Sequence, residues 1–355
     1  MLQSEPAMSL ELQPRSLTWV VIETTAYVTL DIVIFVGNLL ICIVVYRNPR
    51  MRSITNMLVV ALSTTDLLTA CITLPMAAGT SALGRWVYGS LGCQLYGFCS
   101  KFLVYVSIYT ISLIALNRYL RICRPKVYRK HFTVRKCFIF LAFIWVFPAL
   151  VRLLPSVLGY AQFTFSSQTA GCSMSFYNMR AQSPYTLFAT LVFIALPMLL
   201  IIFCYTAVSL RVRKHRRNVT SSLNVRNQRS ELRLSVEEVK ITRTLFTLVF
   251  AFLICWLPVS VALLIVRAIV GSVPIIAARV LNCLVALSSA CTPFVYGALN
   301  RSFRREFVKI LSCQQRQRLE PGELELDRIG HPVVGTEGGN SQSGETRTRN
   351  GAHSM

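Results

Sequence analysis

Leu113-Ile114-Ala115-Leu116-Asn117-Arg118-Tyr119-Leu120-Arg121-Ile122-Cys123 is the stretch that decides the fold. Behind it, from Ser90 to Asn117, the only charged side chain is Lys101. Ahead of it, basic residues crowd the chain from Arg118 to Lys136. A long apolar run that ends abruptly in Lys and Arg marks the passage from hydrocarbon to the inner aqueous face of a membrane.

The same alternation extends in both directions. Seven apolar segments are expected, at about 20–46, 54–79, 90–121, 136–158, 185–210, 241–267 and 274–298, each long enough to cross a ~30 Å hydrocarbon slab as a helix. The composition agrees. Of 355 residues, 54% are hydrophobic and 15% charged, against about 25% charged in a soluble domain. The net charge of +22 does not describe a nucleic-acid surface, because Lys and Arg fill alternate connections: Arg47 to Arg52, Arg118 to Lys136 and Arg211 to Arg243. The opposite connections hold few, Arg85 and Arg180 among them. This bias places the N-terminus outside and the tail inside.

Four regions follow: an extracellular segment 1–19, a seven-helix transmembrane domain 20–298, a short membrane-surface helix 299–313 and a disordered cytoplasmic tail 314–355. Residues 1–18 lack a basic stretch followed by an apolar one, so the first span is expected to serve as its own insertion signal. Phe303, Phe307, Ile310 and Leu311 recur at helical spacing opposite a basic face, as in a helix lying on the inner leaflet. Cys313 follows as a palmitoylation candidate. The sequons at Asn218 and Asn300 fall on the inner side and are expected to stay unmodified. Prolines inside the spans, Pro75, Pro148, Pro197, Pro258 and Pro293, would each cost about 3 kcal/mol in a soluble helix, yet membrane bundles tolerate them.

Cys93, opening the third span, and Cys172, in the loop between spans four and five, both face the oxidising side. A bond between them would pin that loop over the bundle mouth. Asp66 lies in the middle of span two, where a carboxylate is expensive and functional. His131, His215, His331 and His353 all lie in inner segments, so no metal site and no enzymatic activity are expected.

One residue pattern per helix, in order, resembles the rhodopsin-like G-protein-coupled receptors: Gly37-Asn38, Asp66, Cys93 with Arg118, Trp145, Pro197 with Tyr205, Cys255-Trp256-Leu257-Pro258 and Thr292-Pro293-Phe294-Val295-Tyr296. The resemblance implies an extracellular small-molecule or peptide ligand and a heterotrimeric G protein inside, with arrestin and a receptor kinase acting on the Ser/Thr-bearing tail. It implies that Asp66, Ser107, Ser288 and Thr292 line a polar cavity for water or a sodium ion, Thr292 standing where the family has Asn. It implies that Ile108, Pro197 and Phe252 repack beneath Trp256, with Pro258 and Pro293 as kinks. Arg118 would cap the G-protein cavity, with Tyr119 beside it, and Tyr205 and Tyr296 would swing toward it.

Most members place a carboxylate where this chain has Asn117. Asn accepts a hydrogen bond but cannot neutralise a guanidinium. Glu238 is then the expected counter-charge for Arg118 in the resting state.

Asn117-Arg118-Tyr119 with Tyr296-Gly297-Ala298-Leu299-Asn300-Arg301 resembles melatonin receptors, and the opening stretch is similar to the Moody and Trapped-in-endoderm-like orphan receptors. The melatonin likeness implies an inhibitory-type G protein. Ser100 replaces the amine-receptor carboxylate and Ala286 the opsin lysine, while Pro155 and Phe176 stand at melatonin-contact positions. The outer halves of the spans instead carry Lys101 and Arg152, and guanidinium binds carboxylate through paired hydrogen bonds. A carboxylate-bearing ligand near Ser100, Lys101, Arg152, Phe176 and Trp256 is the expectation. Arg267 and Arg279 are expected to snorkel to the headgroups.

Overall fold

The computed structural model describes residues 11, 12, 14–167, 170–221, 244, 246–256 and 275–312. The expectations placed on Glu238, Pro258, Arg267, Cys313 and the tail 314–355 lie outside these residues. The long helices are α1 (Leu17–Arg47), α2 (Ile54–Leu83), α3 (Gly89–Cys123), α4 (Val134–Val157), α5 (Met179–Thr190 continuing through Leu196–Ser221) and α7 (Ile275–Leu299). A shorter apolar helix, α6, is described over Phe246–Trp256. These seven form the transmembrane bundle. A further helix, α8, occupies Arg301–Leu311, and a short helix, Pro125–His131, follows α3.

The ends of these helices follow from local chemistry. Ser16, Ser53 and Thr133 cap α1, α2 and α4 by accepting from the third residue on: Trp19 N at 3.3 Å, Asn56 N at 3.3 Å and Lys136 N at 3.4 Å, which satisfies amides with no intrahelical partner. Gly84 closes α2 in the left-handed region at φ 68°.

Two spans are interrupted in the same way. A π turn occupies Thr69–Thr73 in α2 and Leu191–Ala195 in α5, and a proline follows each by two residues, Pro75 and Pro197. Proline has no N–H for the carbonyl four residues back and its ring crowds that carbonyl. Those carbonyls belong to Cys71 and Phe193, both inside the π turns. Widening the turn relieves the crowding.

Side chains such as Phe138, Phe143, Leu150, Leu199 and Phe294 are exposed on the outer faces, as expected of a surface solvated by lipid. Between helices the hydrophobic effect contributes little in that setting, so association depends on close packing and hydrogen bonds. A Cβ on Gly37 of α1 would collide with the Pro293 ring of α7. Ser112 Oγ of α3 donates to Pro197 O of α5 at 3.4 Å, and α3 is the most deeply buried span.

The sequence held no expectation of sheet. The loop between α4 and α5 forms an antiparallel hairpin, β1 (Ala161–Ser166) with β2 (Gly171–Phe176), in the register Phe163 to Met174 and Phe165 to Cys172. Cys93 and Cys172 are disulfide-bonded with Cα atoms 5.3 Å apart, so β2 is fixed to the first turns of α3.

Candidate functional site

At the disulfide end, α3, α4 and the hairpin converge on Gly97. Phe163 packs so closely against Gly97 that a Cβ there would come within 2.6 Å of the ring. The missing side chain also lets Arg152 of α4 approach. Its Nη2 donates to Gly97 O at 2.7 Å, and its guanidinium lies over the Phe163 ring at 5.2 Å. Arg152 is 4% exposed and its Nε has no hydrogen-bond partner. No carboxylate among the described residues pairs with it. A buried guanidinium without an acid is costly, which singles this position out.

Ser100 is half-buried and donates to Gly97 O at 3.4 Å. Lys101 is exposed. It lies on the α3 face that carries Gly97 and Tyr105, one turn from each, and Tyr105 stacks on Phe193 of α5 with centroids 4.5 Å apart. Phe176 is buried and meets Tyr185 of α5 at 5.0 Å. Trp256 lies deeper, on α6: its Nε1 donates to Ser288 Oγ of α7 at 3.3 Å, and its ring stacks on Phe252 at 5.6 Å. Ile108 and Pro197 are buried near this level.

Arg279 corrects an expectation. It does not reach outward but is 2% exposed, with Nη1 bound to Glu23 Oε2 of α1 at 2.8 Å. Placing both charges on inward faces, where each neutralises the other, makes pairing less costly than two separate buried ions.

At mid-bundle Asp66 is buried. Thr292 Oγ1 donates to Asp66 Oδ2 at 3.4 Å, and the Ser289 hydroxyl also bonds this carboxylate. Ser289 was not among the residues expected there. Ser288 instead donates to Val285 O at 2.6 Å, and Ser107 is half-buried on α3. Asn38 Nδ2 donates to Ile34 O at 3.0 Å and Ser289 O at 3.4 Å, joining α1 to α7. Among the described residues no three His, Cys, Asp or Glu side chains cluster as metal ligands.

At the far end, Asn117 and Arg118 are buried. Thr55, in the first turn of α2, joins them. Its hydroxyl donates to Asn117 Oδ1 at 3.2 Å and accepts from Arg118 Nη2. A neutral hydroxyl thus stands between the asparagine and the arginine, a role nothing in the sequence marks Thr55 for. Tyr205 and Tyr296 are buried, with hydroxyls that have no partner among the described residues. Tyr119 packs on Phe203 at 5.5 Å, Tyr205 on Phe246 at 5.8 Å, and Tyr296 on Phe303 of α8 at 5.1 Å.

Seven helices, a disulfide-pinned hairpin at one mouth and a buried Asn-Arg pair at the other define a receptor architecture. Residues 37–296 match the family model "7 transmembrane receptor (rhodopsin family)". The chain belongs to that family and is a G-protein-coupled receptor, not an enzyme. It is 30% identical over 284 residues to melatonin receptor type 1B-B of Danio rerio, covering 78% of each chain. It is 30% identical over 320 residues to melatonin receptor type 1A of Ovis aries, covering 87% of this chain and 82% of that one. The 5-hydroxytryptamine receptor 4 of Cavia porcellus is 28% identical over 311 residues, 81% of this chain and 79% of the other. The fold is similar to that of squid rhodopsin, with a TM-score of 0.74 at 21% identity, over 92% of this chain and 98% of that one.

Proposed function

We propose that this receptor recognises a ligand bearing a carboxylate, anchored by Arg152 in the mouth formed by α3, α4, α5 and the hairpin. The observation that carries this reading is the Arg152 guanidinium itself, buried, held by one backbone carbonyl, and lacking an acidic partner among the described residues. A carboxylate entering beside it would supply the missing charge through geometry suited to a planar fork. Lys101, exposed on α3 one turn from Gly97, supplies a second positive charge.

In this reading the disulfide end faces outside the cell at the plasma membrane and the Arg118 end meets an inhibitory-type G protein. Ligand pressure on Trp256 would shift α6 through Phe252 and change the setting of Arg118, Tyr205 and Tyr296. Arrestin and a receptor kinase act on the tail, α8 rests on the inner leaflet, and Cys313 carries a palmitoyl chain. Asp66, with the Ser289 and Thr292 hydroxyls, offers hard oxygen donors that fit a sodium ion. When bound, the ion would neutralise the Asp66 charge.

The test is inhibition of cAMP formation by a library of aliphatic and aromatic carboxylates, on wild type, Lys101→Ala and Arg152→Ala. Responses that weaken at least tenfold in Arg152→Ala support the anchor. Activation by a cationic ligand that survives both substitutions refutes it.

A further inference from the structure

Residues 11, 12 and 14–16, just before α1, are held against the bundle. Glu11 forms an isolated bridge with Arg85, and Leu12 N donates to Gly84 O at 2.8 Å. The Leu12 side chain is buried in a cluster with Trp86, Cys93, Phe165, Ala170 and Cys172, so it sits against the disulfide and the hairpin. Arg15 then turns inward. Its Nη1 binds Glu23 Oε2 at 2.6 Å, and its Nη2 donates to Ser81 O of α2 at 2.7 Å.

Glu23 therefore holds two guanidiniums through one oxygen, Arg15 and Arg279, while its other oxygen is buried without a partner among the described residues. Two cations on one carboxylate leave the cluster with one excess positive charge. The two partners are not equivalent. Arg279 belongs to a helix of the bundle and its side chain is 2% exposed, while Arg15 belongs to the short segment before α1 and its side chain is 10% exposed. Burial and the adjacent Arg279 charge also lower the Arg15 pKa, against the pull of Glu23. Arg15 is the member that can leave.

We infer that Glu23 with Ser81 forms a guanidinium-binding site between α1 and α2, filled in cis by Arg15, and that residues 11, 12 and 14–16 are thereby held as a removable cover over one side of the mouth. The occupant is this chain's own segment, and the chemistry it satisfies is a planar guanidinium divided between a carboxylate and a backbone carbonyl. The inference is independent of the anionic-ligand reading, since it concerns the α1–α2 side of the mouth and makes no use of Arg152.

Trypsin reads the site directly. Residues 1–14 contain no Lys or Arg, so Arg15 is the first tryptic site, and cleavage there requires its side chain to leave Glu23 for the protease. The purified full-length receptor in lipid nanodiscs, tagged at the N-terminus, is treated with trypsin, and release of the peptide ending at Arg15 is timed by mass spectrometry. Each rate is normalised to that of the matching free peptide spanning residues 8–22. Wild type should be strongly protected, and Glu23→Gln should release the peptide about tenfold faster or more, because a buried ion pair no longer opposes local opening. Arg15→Lys and Leu12→Ser change residues that precede α1 and leave every helix of the bundle with its own side chains. Both should also accelerate release, the first because an ammonium cannot span Glu23 and Ser81 as the fork does. Wild-type release as fast as the free peptide overturns the inference. So does acceleration in Leu12→Ser with none in Arg15→Lys, which would leave an apolar contact and no guanidinium site.

Discussion

The two sides of the mouth treat a buried arginine in opposite ways. On the α1–α7 side, Arg279 meets the Glu23 carboxylate at 2.8 Å, and Arg15 shares the same oxygen. On the α3–α4 side, Arg152 is buried nearly as deeply, yet among the described residues it meets a carbonyl and an aromatic face and no acid. A paired charge holds helices together and is closed to a newcomer. A charge held only by dipoles is already desolvated and still lacks a counter-ion, which is the condition in which a ligand carboxylate gains most.

The sharpest way to break this contrast is Glu23→Ala. Removing the shared carboxylate leaves Arg279 buried without its counter-charge and should cost about 3–5 kcal/mol, read as a large fall in thermal stability of the purified receptor. Replacing Glu23 and Arg279 together by leucine should recover most of that loss, and failure to recover would show that the pair does more than neutralise itself. Arg152→Ala should behave differently. Stability should change little, while potency of a carboxylate agonist should fall by about 2–4 kcal/mol, some thirtyfold to a thousandfold. A loss of stability equal to that of Glu23→Ala would erase the distinction between the two sides.

Gly97→Ala tests the close approach on the open side. The added Cβ must displace the Phe163 ring, at about 1–3 kcal/mol, and should weaken agonist response with moderate destabilisation. The smallest effect belongs to the far end. Thr55→Val removes the hydroxyl between Asn117 and Arg118 and should raise basal G-protein turnover by about 1 kcal/mol, near fivefold, while Thr55→Ser should stay close to wild type. Unchanged turnover in Thr55→Val would show that the hydroxyl does not set the resting position of Arg118.

The seven spans were legible because lipid demands long apolar runs and water demands charge at their ends, and both are properties of composition. The residues around Asn117-Arg118-Tyr119 were legible through resemblance. The pairing of Arg279 with Glu23 was not, although both residues stood out, because it depends on how two helices 256 positions apart are rotated toward each other. Thr55 was invisible for a related reason: a threonine in a first turn is ordinary until a neighbour points at it. The hairpin did leave a trace. Gln162-Phe163-Thr164-Phe165-Ser166 alternates with period two, the signature of a strand with one face buried, set in a loop between two long apolar helices.

The π turn in α2 has a consequence for how this sequence can change. It amounts to one residue more than an α-helix needs, and each residue is worth about 100° of rotation. Everything beyond Thr73, including Ser81 with its carbonyl toward Arg15, is aimed by that surplus residue. A substitution at Pro75 that let Thr69–Thr73 wind as plain α-helix would leave the span long and apolar enough to cross the membrane, yet turn its outer third by roughly a quarter revolution. The mouth would be dismantled by a change that a hydropathy profile would barely register.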